Sequence, residues 1–382
     1  MQKSFSKQDT HAMKGVAIIL MLCHHLFYAT EQYVDYLMFY TFTDSFNITV
    51  RIAMYAKMCV PIFILLSAYG LSFSYEGWRG RAKSKISFVA DRYLSLYFGF
   101  VLIFILGLAG GLFWDRSFAS VYGESAGAGL FAALDSLGLA SLFHTPTANV
   151  TWWYMSFAAV QISLFPIFYR LVRNHGAVSL LLIFGLMDMG AGHYGTFLHS
   201  FSIMGIYLAT RRGFDKAREW SPFKKRLFSK AFKFALYGVA FWLMILVCEY
   251  LPETYDGRAT DFRYWGYGLF GVVLTAFLYE FVFPLKPLRL LLAFVGRHSA
   301  NIFMMHTFFF FYFWPDFYYD FEKPELIFAM LLATTLAASA VLELFKKLFR
   351  YDRGTARLRA WVDGRLNGTR NAPAGQTGAL SS

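Results

Sequence analysis

GVAIILMLCHH, Gly15 to His25, runs from Gly15 to Cys23 without a charged or amide side chain and then ends on two adjacent histidines. A helix that is apolar all round must be buried, either in a large protein core or in a bilayer. Composition decides between the two. The chain has 382 residues, 57% of them hydrophobic, 20% aromatic and only 16% charged, with a mean hydropathy of +0.43. A soluble domain of that length cannot keep so much apolar side chain from water, so hydrocarbon is the solvent for most of it.

Working outward from that stretch, apolar segments recur along the chain at 12–29, 52–74, 88–112, 153–171, 176–190, 196–210, 231–250, 264–284, 299–314 and 325–345. They predict an all-α polytopic membrane bundle of about ten helices. The fifth and sixth segments are short. Pro61 and Pro166 fall inside spans, where neighbouring helices can satisfy the freed backbone groups. The first span has no small-residue cleavage site before TEQYVDY and is expected to remain as an anchor.

Charge sets the orientation. With the N-terminus inside and ten alternating spans, 30 of the 36 Lys and Arg fall on the inner side, leaving Arg51, Lys57, Arg116, Arg258, Arg263 and Lys323 outside. The densest basic run, RRGFDKAREWSPFKKRLFSKAFK, is then cytoplasmic, and ETYDGRATD and PDFYYDFEKPE are outer loops. This is the positive-inside pattern, and it places both termini in the cytoplasm. The formal charge of +12 is accordingly read as facing anionic inner-leaflet lipid. No basic motif stands in a nucleic-acid-binding fold, and no nucleic-acid partner is expected. The three cysteines, Cys23, Cys59 and Cys248, all lie in predicted spans without metal-ligand spacing and read as structural thiols.

Residues 1–348 read as one membrane domain and 349–382 as a cytoplasmic tail. In that tail, Leu358, Trp361, Val362 and Arg365 follow helical spacing and suggest an interfacial helix ahead of a polar, disordered end. The outer segment 113–150 contains GLFAALDSLGLASLF, apolar enough to lie on the outer surface or dip into it.

The histidines closing the first span carry the chemical signal. Lys14 and His25 are eleven residues apart, about three helical turns, so they share a face and stand roughly 16 Å apart along the axis. His24 points about 100° away. Histidines near a helix end can be plain interfacial residues. Two in succession, one aligned with a lysine, favour a functional site, since ionisable groups inside a membrane usually mark one.

MKGVAIILMLCHH resembles the first span of the acyltransferase 3 family, membrane O-acyltransferases of bacterial surface and secreted carbohydrates, which commonly carry Arg, ten residues and His there. Lys14 takes the Arg position and His25 the His position. VPIFILLSAYGL at 60–71 is similar to the second-span signature, with Ala68 for Gly. FVADRYLSLYF at 88–98 is similar to the opening of the third span, with Arg92 at the second Arg, Val89 at the first and Ser95 for Pro. TWWYMS resembles the outer-face aromatic motif of the fourth span. GRHSANIFMMHTF matches the late Gly-x-x-Ser…His signature through Ser299 and His306, with Ala300 for the aromatic.

The resemblance implies transfer of an acyl group, acetyl above all, from acyl-CoA to a carbohydrate hydroxyl on a lipid-linked sugar or polysaccharide, in the bacterial cytoplasmic membrane. Lys14 and Arg92 would hold the donor's phosphates from the cytoplasm. Lysine lacks arginine's bidentate fork, so a looser contact is expected. His25 would be the catalytic base or a transient acyl carrier, two roles the sequence does not separate, with His24, His306 and Ser299 as further catalytic or orienting candidates. Trp152 and Trp153 would meet the acceptor, although an aromatic belt explains them as cheaply. Lys57 and Asp188 read as snorkelling charges, Asp91 as a partner for Arg92, Ser67 as a packing residue, and His193 and His199 as incidental. The spacing offers no metal site, and no permanently bound cofactor is expected. The competing reading is a transporter or flippase of a lipid-linked glycan, which would call for inverted repeats that the sequence does not display.

Overall fold

The computed structural model describes residues 5–33, 35, 36, 38, 45–81, 83–114, 116–181, 198–250 and 258–368, with backbone alone for 45–47, 248 and 258–265. The predicted span 176–190 beyond residue 181, Asp188, His193, the Cys248 side chain, and the tail after residue 368 lie outside the described residues.

Everything described is helix, turn or loop. Among the described residues, six helices are long and apolar enough to cross a membrane: Lys7–Phe27, Ile48–Gly80, Lys85–Gly111, Val150–His175, Arg226–Val247 and Pro324–Leu348. Gly266–Val282 is a shorter apolar helix.

Helix α1 (Lys7–Phe27) is the central strut, in contact with α2 (Ser45–Ala56), α3 (Cys59–Gly80), α12 (Lys286–Arg297), α13 (Ser299–Thr307) and α15 (Pro324–Leu348). Its start is set by a capping box. Ser6 accepts from the Asp9 amide, and the Asp9 carboxylate accepts from the Ser6 amide and hydroxyl. Asp9 also pairs with Arg289 at 3.3 Å, tying α1 to α12. Beyond that pair the two backbones nearly touch. A Cβ on Gly15 would stand 2.0 Å from the Leu292 carbonyl oxygen, and one on Gly296 would stand 1.8 Å from that of His11. Only glycine permits this approach, and small residues at helix contacts are how membrane helices gain dispersion energy.

Two predicted spans have different shapes in the structure. The segment 52–74 begins earlier and is interrupted between Ala56 and Cys59. Pro61 has no N–H to offer the Lys57 carbonyl four residues back, so the chain tightens there into bonds from Lys57 N to Met54 O and Met58 N to Tyr55 O. The segment 299–314 begins at Lys286, is kinked at His298, and ends in a π-helical turn, Phe308–Phe313. The kink is bracketed by α15: His298 Nδ1 lies 2.8 Å from Ser339 Oγ, and Asn301 Nδ2 donates to Ser339 Oγ and Glu343 Oε1. Lys286, Arg289 and Arg297 make the first part too basic to register as a span in the sequence.

The segment 113–150 folds into a small cap. Helices α5 (Phe118–Tyr122) and α6 (Ala128–Ser136) and a 3-10 turn, Ala140–Phe143, close around Asp135. That carboxylate is 1% exposed and accepts from Ala148 N at 2.7 Å, Tyr122 Oη at 2.8 Å and Thr147 Oγ1 at 2.9 Å. Burial raises its pKa even against those three donors.

The tail forms α16 (Tyr351–Gly368), docked along the start of α4 (Lys85–Gly111) by its polar residues. Asp363 binds Lys83 and Ser87, Asn367 Oδ1 accepts from the Ser84 amide, and Tyr351 Oη donates to Phe98 O. Leu358 and Trp361 remain exposed.

Candidate active site

Inside the bundle, the end of α1 meets α13. The His25 and His306 ring centroids are 5.0 Å apart, and His24 stands edge-on to His25 at 5.3 Å. The helical phase read from the sequence holds, for His24 turns to a different neighbour. Its Nδ1 donates to the Ala53 carbonyl of α2 at 2.8 Å, and its ring lies 4.7 Å from Tyr28. Lys57, at the α2–α3 break, is within electrostatic reach of both histidines and sits 5.4 Å from the Tyr28 ring centroid. The sequence suggested only a snorkelling charge there. The Pro61-dependent break delivers it to the site instead.

His306 is wholly buried. Its Nδ1 is 2.7 Å from the Phe303 carbonyl oxygen. A carbonyl can only accept, so Nδ1 carries the proton, and in the neutral ring Nε2 is a bare lone pair. That Nε2 is buried without a hydrogen-bond partner among the described residues. An unsatisfied buried polar atom costs about 1–3 kcal/mol and calls for an explanation, a ligand being one. Phe303 and Phe310 flank the ring, and Tyr154 of α7 (Trp153–His175) approaches Phe303 at 5.3 Å. Ser67, read from the sequence as a packing residue, is within hydrogen-bonding reach of the Tyr154 phenol.

The cap is stitched to the residues on either side of His306. Asn149 Nδ2 donates to Thr307 Oγ1 at 2.5 Å, Trp152 Nε1 to Met304 O at 3.1 Å, and Val150 N to Tyr312 Oη at 3.2 Å. Arg116 lies 3.7 Å from the Tyr312 ring centroid while donating to Ala148 O. None of these links has a sequence signal, because each joins residues far apart in the chain.

The other sequence candidates are distributed as follows. Trp152 is 2% exposed and packed among Phe100, Phe104 and Phe308, so its ring is core. Trp153 is half-buried against Ile64, Phe157, Leu198 and Phe201. Ser299 is buried at the start of α13, seven residues and about 10 Å from His306. Lys14 lies half-buried on α1, within electrostatic reach of His11 and, through it, of a group completed by Lys7 and Arg297. Arg92 is 3.3 Å from Asp91, whose other oxygen takes Arg359 of α16 at 3.2 Å. His199 stacks on Phe157 at 4.6 Å.

Comparison with curated proteins and with solved structures gives no match. A family model described as an acyltransferase domain matches residues 9–344, from the capping box of α1 almost to the end of α15 and through both histidine-bearing helices. The chain is therefore a multi-pass membrane acyltransferase and belongs to the acyltransferase 3 family.

Proposed function

We propose that this acyltransferase moves an acetyl group from acetyl-CoA to a hydroxyl of a cell-surface or exported carbohydrate, in the inner membrane of a bacterium. In this reading the basic end of the bundle faces the cytoplasm. The Lys and Arg partition supports that orientation. Lys14 and Arg92 would draw the CoA phosphates toward that end. The thioester would then reach along the α1 face toward His25.

His25 acts as general base. As the acceptor oxygen attacks the thioester carbonyl, its proton passes to the imidazole. The new C–O bond forms, the C–S bond breaks, and the leaving CoA thiolate takes the proton back. The observation that carries the reading is the pairing of His25 with a second imidazole whose tautomer is held by Phe303 O and whose Nε2 has no hydrogen-bond partner among the described residues. That lone pair can receive an N–H from His25, which leaves the other His25 nitrogen free to take the acceptor's proton, and His306 is then a positioning residue. The family match gives no support to a glycan transporter.

The test measures alkali-labile acetate on the surface carbohydrate of cells producing each variant, with acetyl-CoA-dependent thiol release by their membranes. His25→Ala should lower both by about 10²–10⁴ while the protein stays in the membrane. His24→Ala should be milder. His306→Asn separates positioning from packing, because it keeps a donor for Phe303 O but has no Nε2 lone pair. It should be as poor as His306→Ala. Full activity in His25→Ala refutes the mechanism, and full activity in His306→Asn reduces His306 to a core residue.

A further inference from the structure

At the basic end, away from the histidines, a cavity of about 430 Å³ lies between α9 (Gly213–Glu219), α10 (Arg226–Tyr250) and the π-helical turn Leu278–Val282 that ends α11 (Arg258–Phe277). Its floor is a buried ion pair, Lys233 to Glu280 at 2.6 Å, with side chains 4% and 6% exposed. Lys233 also donates to the carbonyls of Ala217, Arg218 and Trp220 and so caps the C-terminal end of α9. Both floor charges are spent on structure. Ser229 secures the wall by bonding the Phe223 amide and carbonyl.

The remaining lining charge is unbalanced. Arg218, Arg226 and Lys230 face the cavity, and none is in an ion pair among the described residues. Glu219, the other acid of the lining, is 3.6 Å from Arg212. Arg218 lies 4.5 Å from the Tyr279 ring centroid, which fixes its guanidinium at the wall.

The surroundings of these cations are apolar. Trp220, Phe223, Leu227, Phe228 and Phe232 are 44–77% exposed. Only 11% of the apolar window of α10 is buried in the protein, the smallest share among the six long helices. In a membrane protein that helix stands against lipid, and exposed aromatics beside cations belong at the headgroup level. A soluble polyphosphate satisfies the cations but leaves the aromatics unexplained.

We propose that this cavity binds the phosphate of an anionic membrane phospholipid, held by Arg218, Arg226 and Lys230, with its acyl chains along the exposed face of α10. Basic pockets between membrane helices take such headgroups by charge-assisted hydrogen bonds. The site is independent of the acyl-transfer mechanism and needs only the membrane setting.

The experiment uses the full chain in detergent micelles, titrated with phosphatidylglycerol or phosphatidylcholine, with retained lipid read by native mass spectrometry. The wild type should retain phosphatidylglycerol over phosphatidylcholine. The double variant Arg226→Gln/Lys230→Gln removes two exposed cations that have no ion pair among the described residues and should retain phosphatidylglycerol about tenfold less well or worse. Lys347→Gln/Arg353→Gln, exposed cations at the same end, should behave as wild type. Equal losses in the two double variants would mean a diffuse field rather than a site. Equal retention of the two lipids by the wild type would overturn the proposal without reference to any variant. Displacement of phosphatidylglycerol by micromolar CoA or inorganic pyrophosphate would assign the cavity to a soluble polyphosphate instead.

Discussion

Replacing Gly296 with alanine tests whether the α1–α12 contact positions the histidines. The added Cβ would lie 1.8 Å from the His11 carbonyl oxygen and 2.7 Å from the Gly15 amide nitrogen, both backbone atoms with no rotamer to yield. Ordinary contact begins at 3.4 Å, so the helices must part by about 1.6 Å in an interior packed too densely to absorb it. Overpacking of this kind costs about 1–3 kcal/mol, against about 0.5–1 kcal/mol gained from alanine's better helix propensity. His306 lies ten residues further on, about 15 Å along the helix, so a displaced α12 carries it away from His25. A misplacement near 1 Å at reacting groups is worth about 10² in rate. Gly296→Ala should therefore lose about 10² in acetyl transfer while remaining folded in the membrane. Gly15→Ala should do the same, and the double variant should lose little more, because both act on one contact. Gly70→Ala is the control, since a Cβ there meets nothing within 4 Å. Transfer is read as alkali-labile acetate per unit of membrane-inserted protein. Wild-type activity in Gly296→Ala would refute the coupling and imply that the kink at His298 absorbs the shift.

Lys14→Ala should weaken acetyl-CoA binding to purified protein, and Lys14→Arg should preserve or tighten it; equal binding in all three forms would remove Lys14 from the donor site. Reporter fusions after residues 80, 174, 222 and 360 should report cytoplasm and those after 40, 130 and 321 the outer side, with inversion at two or more positions sinking the orientation. For the tail helix, burial alone would raise the Asp363 pKa, but bonds from Lys83, Ser87 and Asn367 outweigh it and hold the carboxyl below its ordinary 3.8. A depressed acid contributes stability that is present above the unfolded value and lost as pH falls through the folded one. Hydrogen-exchange protection of amides 351–368 should thus persist at neutral pH, collapse only below about pH 3.8, and be weakened at neutral pH by Asp363→Ala; unchanged protection in that variant would detach Asp363 from docking.

Sequence by itself determined the solvent, the helical class and the family, because hydrophobic runs, charge bias and motif spacing are local properties that survive without a fold. It also determined the phase of α1: His24 and His25 diverge by helical geometry, and they do so toward Ala53 and His306. Only tertiary structure decided which distant groups meet those two. Lys57 reaches the site because Pro61 interrupts the helix behind it, and His306 reaches it because Gly15 and Gly296 let two backbones nearly touch. The sequence hid the first half of the helix carrying His306 behind Lys286, Arg289 and Arg297, since a hydropathy window cannot credit a basic helix with a buried face. Trp152 read as an outward aromatic and is core, because its indole finds Met304 across 152 residues of chain. Pairings at such separations depend on how the helices pack together, which neither residue's neighbours in sequence encode.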